Sequence, residues 1–557
     1  MDDIKKKKAT VVRDRKPGGQ GGKLLRSLLI TLAFGALYFY MALPAINLQD
    51  AGFYGFFFLL SAVFCVLSVL SNASIRQETD GKEAWRKIKK TCSVPLFICL
   101  GLVVLYIGGS IVGGVLFRAG SYSQMLEINT GDFALDVAEA HYDSIPTLDK
   151  RSAFRLGDRK LGELADMVSQ FEVVDNYTQI NYQSRPVRVA TLRYGDVFKW
   201  LGNMGDGLPA YIIIDMVTQQ ADVVRLPEGM KYTPADHFGR NLMRHLRMNY
   251  PTFMFETPHF EIDESGHPYW VCPKVEKTIG LFGGTDINGA VLVDAVTGQC
   301  DYYTEVPLWV DAVYTPGLIE AQYDYYGLYK NGFFNSLFGQ KDCTVTTDDY
   351  SYLAMNDDVY MYTGITSVGG DESNIGFILA NQRTKETTYY PCAGAEEYSA
   401  ISSAQGIVQD LKYQATFPLL LNISGQPTYF MALKDSAELV KMYAMVNVQS
   451  YNIVACAETV KACEEEYLRL MAAQNLVPED IAPAAEQTET SGTVADVRTA
   501  VLAGESYSYF LVGGQWYRVK VFDCELAAIV TVGDRVTLHH DAGQTGEIVE
   551  ASTIARQ

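Results

Sequence analysis

The chain has 557 residues, too many for one hydrophobic core, so several domains are expected. Its net charge of −19 is unevenly spread: residues 1–118 hold 16 basic and 7 acidic side chains, and the remainder holds 30 and 58. The acidic remainder repels polyanions, which excludes nucleic acid as its partner.

The basic leader, residues 1–23, contains KKKKATVVRDRK and reads as a topology signal beside anionic headgroups. Three apolar stretches follow in the region 24–117: Leu24 to Ile46, Ala51 to Ser71 and Val94 to Phe117. Each reaches the roughly 20 residues that a helix needs to cross the hydrocarbon core. Nine Lys or Arg precede or open the first stretch and six lie between the second and third, whereas Asn47 to Asp50 has none. The positive-inside rule then predicts a cytoplasmic N-terminus and an extracytoplasmic segment 118–557. Gly108, Gly109, Gly113 and Gly114 in the third stretch would permit close helix packing.

Residues 118–200 read as a juxtamembrane α+β region, with a helix expected within Ile145 to Val173. Beyond it, a strand–turn–strand pattern recurs. IIIDMVTQQADVV (Ile212 to Val224) shares Asp215 and Thr218 with Asp294 and Thr297 of VLVDAVTGQCDYY (Val291 to Tyr303), where Gly298 follows. ILANQRTKETTYY (Ile378 to Tyr390) offers Asn381 and Thr384 in the same places. A phosphate cradle needs donors at a helix N-terminus, whereas these turns feed a second strand, so the Asp/Asn and Thr are expected to fix the turn. GLPAYI, GHPYWV and GQPTYF place Gly-x-Pro ahead of an aromatic strand start. Helices are expected over Asp236 to Met248, Pro316 to Phe338, Ala400 to Leu411 and Ser436 to Asn447. The pattern predicts two repeats in 201–305, and a third repeat with a helical and hairpin region in 306–475. Residues 476–491 read as a linker, and 492–557 as a small β-barrel of OB or SH3-like type.

No P-loop, GxGxxG, HExxH, GxSxG or EF-hand pattern is present, so no cofactor, metal or catalytic residue is assigned and the protein reads as non-enzymatic. The acids Asp263, Glu264, Asp371 and Glu372 are what an unrecognised hydrolase would use, and His259 and His267 could face each other in a weak cation site. The seven cysteines after the third stretch form neither CxxC nor a metal pair; small hydrophobes or one or two disulfides both fit. Tyr323, Tyr326, Tyr329 and Phe333 form an aromatic run for packing, or for stacking on a cell-wall glycan.

The helix, hairpin and strand ending in VDAVTGQCDYY resemble PepSY-type domains, small extracytoplasmic α+β modules. Asp294, Thr297 and Gly298 match best, Asp215 and Thr218 match with Gln219 in place of Gly, and Asn381 and Thr384 match more loosely. The layout as a whole resembles large membrane-anchored proteins of Gram-positive bacteria. PepSY modules are thought to regulate or inhibit peptidases or to serve as envelope interaction modules, so the resemblance implies binding: an envelope scaffold with protein partners or self-association. An envelope hydrolase or peptidase regulator, and a subunit of a transport or conjugation complex, are the alternatives.

Overall fold

The computed structural model describes residues 20–71, 81–140, 142, 145–347, 349–369, 373–478, 481, 487–502, 505–522, 524–541 and 546–556. Residues 1–19 of the basic leader, and Asp371 and Glu372, lie outside them. The chain forms two compact bodies, residues 1–467 and 468–557.

The larger body begins with α1 (Gln20–Ala42), α2 (Ala51–Ser71) and α3 (Gly81–Val112). Each is long and apolar enough to cross a membrane, over Gly22–Ala42, Ala51–Ser71 and Ile88–Val112. The third span ends earlier than Phe117 because the helix stops at Gly113 and Gly114 and restarts as α4 (Val115–Tyr122).

Four sheets follow, each preceded by a helix. Module I has α5 (Lys150–Gly162) and strands β2 (Phe171–Val173), β3 (Thr178–Tyr182), β4 (Arg185–Tyr194), β5 (Leu208–Asp215) and β6 (Ala221–Met230), with α6 (Val197–Asn203) between β4 and β5. Module II has α7 (Leu242–Asn249), β7 (Met254–Phe255), β8 (His259–Ile262), β9 (Pro268–Ile279), β10 (Gly283–Asp294) and β11 (Cys300–Tyr303). In module III, α8 (Pro316–Tyr329) precedes β12 (Thr344–Thr346), β13 (Ser351–Met355), β14 (Asp358–Ser367), β15 (Ser373–Asn381) and β16 (Thr387–Ala395), and β1 (Ile128–Thr130) adds a parallel edge to β16. Module IV has α9 (Glu397–Ile407), β17 (Gln414–Ala415), β18 (Leu419–Ile423), β19 (Gln426–Lys434), β20 (Val440–Asn447) and β21 (Val454–Ala457).

The strand order is the same in all four: a first edge broken into two pieces, then three strands in an antiparallel meander. The register also matches. Val187 pairs with Asp215, Tyr269 with Asp294, Tyr360 with Asn381 and Thr428 with Asn447. The N–H after each Asp or Asn donates to the carbonyl of Pro186, Pro268, Val359 or Pro427, at 2.9–3.1 Å. The carbonyl of that same residue (Met216, Ala295, Gln382 or Val448) then accepts an N–H from the segment leading into the module's own helix. One residue, through its own N–H and C=O, thus ties the turn to both hairpin and helix. Modules I and II share a core around Tyr211, Phe260 and Val291, and modules III and IV a second around Phe377, Tyr429 and Val446.

Several expectations shift. Ser436 to Asn447 contains strand β20 and not a helix, because Met442, Ala444 and Val446 pair across to β19, and Ala444 and Val446 are buried on its sheet. The helix expected within Ile145 to Val173 ends at Gly162, and its last residues form β2. GHPYWV and GQPTYF lead into β9 and β19, but GLPAYI leads into β5, one strand later; the matching position in module I is Ser184-Arg185-Pro186.

Module II grips the membrane anchor. Its Arg244 and Arg247 donate through Nε to Tyr40 O (3.1 Å) and Leu43 O (3.0 Å), Ile46 N donates to Pro251 O (2.8 Å), and Gln49 pairs through its amide with the Lys277 backbone (3.0 and 3.1 Å). The β9–β10 tip meets α3: a Cβ on Gly113 would lie 3.0 Å from Ile279 O, one on Gly109 2.7 Å from the Phe282 ring, and Tyr106 and Phe282 pack at 4.9 Å. The connection 43–50 and the modules therefore stand at the same end of the three helices. Of the four glycines, Gly109 and Gly113 serve this tip. Gly113→Leu is expected to push the tip away and cut, several-fold, disulfide crosslinking between cysteines placed at Tyr106 and Phe282.

The second body is a closed barrel of β22 (Gln487–Leu502), β23 (Glu505–Val512), β24 (Gln515–Lys520), β25 (Arg535–Asp541) and β26 (Ile548–Arg556), in the order β22-β23-β24-β26-β25. Long β22 pairs with β25 through its first half and β23 through its second, and β24 runs parallel to β26. Because Gln487 to Thr493 pair with Arg535 to Asp541, the barrel begins inside the stretch read as linker.

Candidate functional site

The turn residues act on their own backbone. Asp215 Oδ1 accepts from Val217 N (2.9 Å) and Thr218 N (2.7 Å), Asp294 Oδ1 from Val296 N (2.8 Å) and Thr297 N (3.0 Å), and Asn381 Oδ1 from Arg383 N (2.8 Å) and Thr384 N (3.0 Å). Gly298 has φ +79° with the Tyr232 ring against its Cα, so a side chain is excluded twice over. Asn447 makes the same pair of bonds to Gln449 N (3.1 Å) and Ser450 N (2.8 Å), in a turn one residue longer. Sequence reading missed this fourth turn because NVQSYN lacks both the Thr and the spacing of the other three.

In modules II and III the residue before the hairpin position named above also faces the turn. His267 Nε2 lies 3.2 Å from Asp294 Oδ2, and Asp358 Oδ2 accepts from Asn381 Nδ2 at 2.8 Å while Arg383 binds both Asp358 oxygens (2.7 and 2.6 Å). A carboxylate at position 358 explains why this module carries Asn where the first two carry Asp. His259 instead pairs with Glu261 (2.9 Å), so the two histidines do not form a joint site. Asp263 binds the N–H groups of Ser265 and His267 at its hairpin tip, with Glu264 exposed beside it. Among the described residues no group of three or more His, Cys, Asp or Glu could hold a metal ion. All ten cysteines are free.

The aromatic run divides. Tyr323 is buried, with its hydroxyl 3.5 Å from Thr344 Oγ1, and with Tyr326 it borders a groove of about 550 Å³ that also includes Lys330 and Tyr389. Tyr329 stacks between Tyr325 (6.1 Å) and Phe333 (6.4 Å), and Tyr325 packs edge-on against Tyr122 of α4 (4.8 Å). This part of the run joins module III to the helix that follows the third span.

All four modules contribute to a cavity of about 590 Å³: Gln179, Arg188 and Met216 from module I, His259 from II, Tyr314, Tyr352 and Gln382 from III, and Phe417 and Phe430 from IV. Met216 and Gln382 are the residues that follow the turn aspartate or asparagine. The turns are structural, yet two of them deliver a neighbour to this cavity. Asp149 on its wall forms a short ion pair with Lys434 and caps α5 through Arg151 N and Ser152 N. Arg188 donates from Nε to Leu148 O (3.3 Å) and from Nη2 to Gln179 Oε1 (3.4 Å), and burial works against its charge. Arg188 stands in phase with buried Ala190 and Leu192 on β4; a charge within the run PVRVATL was the sequence signal that could have marked it.

Beside the cavity lies a buried carboxyl pair. Glu261 is fully buried and accepts from Asp311 N (2.9 Å) and Ala312 N (3.1 Å); Asp311 Oδ2 accepts from Asn181 N (2.6 Å). Burial, and then the Glu261 charge, push the Asp311 carboxyl up to about 9.

No protein-family model matches the chain, and no curated protein matches it. Among solved structures, a Bifidobacterium bifidum s17 protein assigned as an exo-β-1,3-galactanase aligns at a TM-score of 0.18 and 8% identity, covering 53% of this chain and 74% of that one.

Proposed function

We propose that this is a membrane-anchored cell-envelope protein whose acidic, extracytoplasmic ectodomain is a non-enzymatic protein-binding, regulatory or assembly scaffold. In this reading the four modules are PepSY-like copies and the terminal barrel is of OB type, for which its strand order is the support. The observation that carries the proposal is the grip of module II on the anchor. The connection 43–50 bonds to α7, the loop after it and β9 of module II, and the end of α3 packs on the β9–β10 tip of the same module, so binding by the ectodomain is transmitted to the spans without a flexible stalk. Exposed Val197, Phe198 and Leu201 on α6, with Phe238 beside them, give module I an apolar surface suited to a partner. Photocrosslinking in intact cells from position 198 is expected to trap a protein neighbour or a second copy; labelling of lipid alone would overturn the scaffold reading.

A further inference from the structure

The cavity between the modules is built around donors that the protein itself does not use. Gln179 and Gln382 border it, are 7% and 1% exposed, and leave their Nε2 atoms without a hydrogen-bond partner. Arg188 offers five N–H donors, spends one on a carbonyl and one on the Gln179 amide at long distance, and forms no ion pair with any described carboxylate. Asp149 is engaged by Lys434, and Asp349, also on the wall, accepts from Tyr350 N and the Tyr398 hydroxyl.

Burial works against the Arg188 charge, its nearest carboxylate, Asp149, is held by Lys434, and buried donors left unmade add to the cost of the arrangement. Such an arrangement persists where an anion completes it. The planar fork of arginine suits a carboxylate bidentately, and two amide N–H groups suit the remaining lone pairs. The space is in the range of small-molecule sites, and Tyr352, Phe417 and Phe430 supply flat apolar walls. We propose that this cavity binds a small organic carboxylate, its carboxylate on Arg188, Gln179 and Gln382 and its apolar body against these rings. The proposal goes beyond the scaffold reading and does not depend on it.

The test uses the full-length protein in detergent, titrated calorimetrically with 3-phenylpropionate, 3-phenylpropanamide and inorganic phosphate. The carboxylate is expected to bind at least about tenfold more tightly than the amide or phosphate. Arg188→Met is expected to lose that binding while raising the unfolding midpoint of the ligand-free protein, since it removes a desolvated charge whose nearest carboxylate is engaged by Lys434. A merely structural arginine would instead lower the midpoint. Should Arg188→Met fail to fold, Gln382→Met is expected to weaken binding several-fold with the fold intact. Absence of binding at about 10 mM carboxylate, equal binding of the amide, tighter binding of phosphate, or unchanged affinity in the folded variants would each overturn the proposal.

Discussion

Asn381→Asp is expected to destabilise the larger body by about 3 kcal/mol at pH 8, far more than its size suggests. The side chain keeps its shape and still accepts from Arg383 N and Thr384 N, so the local turn is preserved. What changes is the other end: Asn381 Nδ2 donates to Asp358 Oδ2 at 2.8 Å, and the substitution puts a second oxygen there. Asn381 is 2% exposed and Asp358 6%, and Arg383 already binds both Asp358 oxygens, so one cation must serve two carboxylates. The new carboxyl relieves the conflict by taking up a proton. The penalty should therefore shrink as the pH falls toward 5. Asp294→Asn in module II is the matched control. It keeps the turn bonds and forfeits a contact with His267, whose side chain is 36% exposed, so the loss should stay below about 1 kcal/mol. Thermal unfolding of the full-length protein in detergent at pH 5 and pH 8 reads both. Equal effects of the two substitutions at pH 8 would show that the Asp or Asn choice is not set by the facing residue.

This pairing also shows what the sequence could and could not convey. Periodicity and hydropathy are local properties, so the three apolar helices, the strand–turn–strand signature at three of its four places and the alternating barrel strands were legible. The fourth turn was not, because a one-residue insertion abolishes the spacing by which the others are recognised. β20 read as a helix because MYAMVN is apolar on both faces, and a strand buried on both sides lacks the alternation that separates it from a helix. The cavity was invisible for a different reason. Gln179, Arg188 and Gln382 come from two modules, and only the packing of those modules brings a charge and two amides to one space. The acids that sequence reading favoured, Asp263 and Glu264, are hairpin-tip residues, where exposed acids are ordinary. The informative ones, Glu261 and Asp311, sit in apolar company 50 residues apart.

Asp311→Asn is expected to stabilise the protein at alkaline pH and to flatten its pH dependence. The Asp311 carboxyl titrates near 9 in the folded state because it is buried and faces Glu261, whereas in the unfolded chain it titrates near its ordinary value of 3.8. Between those values the folded state holds a proton that the unfolded state has released, so stability falls as pH rises through this window. One proton contributes at most about 1.4 kcal/mol per pH unit, so the wild type should lose up to about 3 kcal/mol between pH 6 and pH 8 from this group. Glu397 and Glu320, which burial raises to about 7, act in the same direction over the lower part of the range. The asparagine removes the titration but keeps an oxygen for Asn181 N, and its amide can donate toward Glu261. The variant should thus match the wild type near pH 5 and exceed it by up to about 4 kcal/mol at pH 8, with the residual slope coming from the two glutamates. Unfolding midpoints across pH 5 to 9 decide the matter. Parallel curves for the two proteins would mean that Asp311 is ionised in the folded state, buried beside Glu261 without its proton.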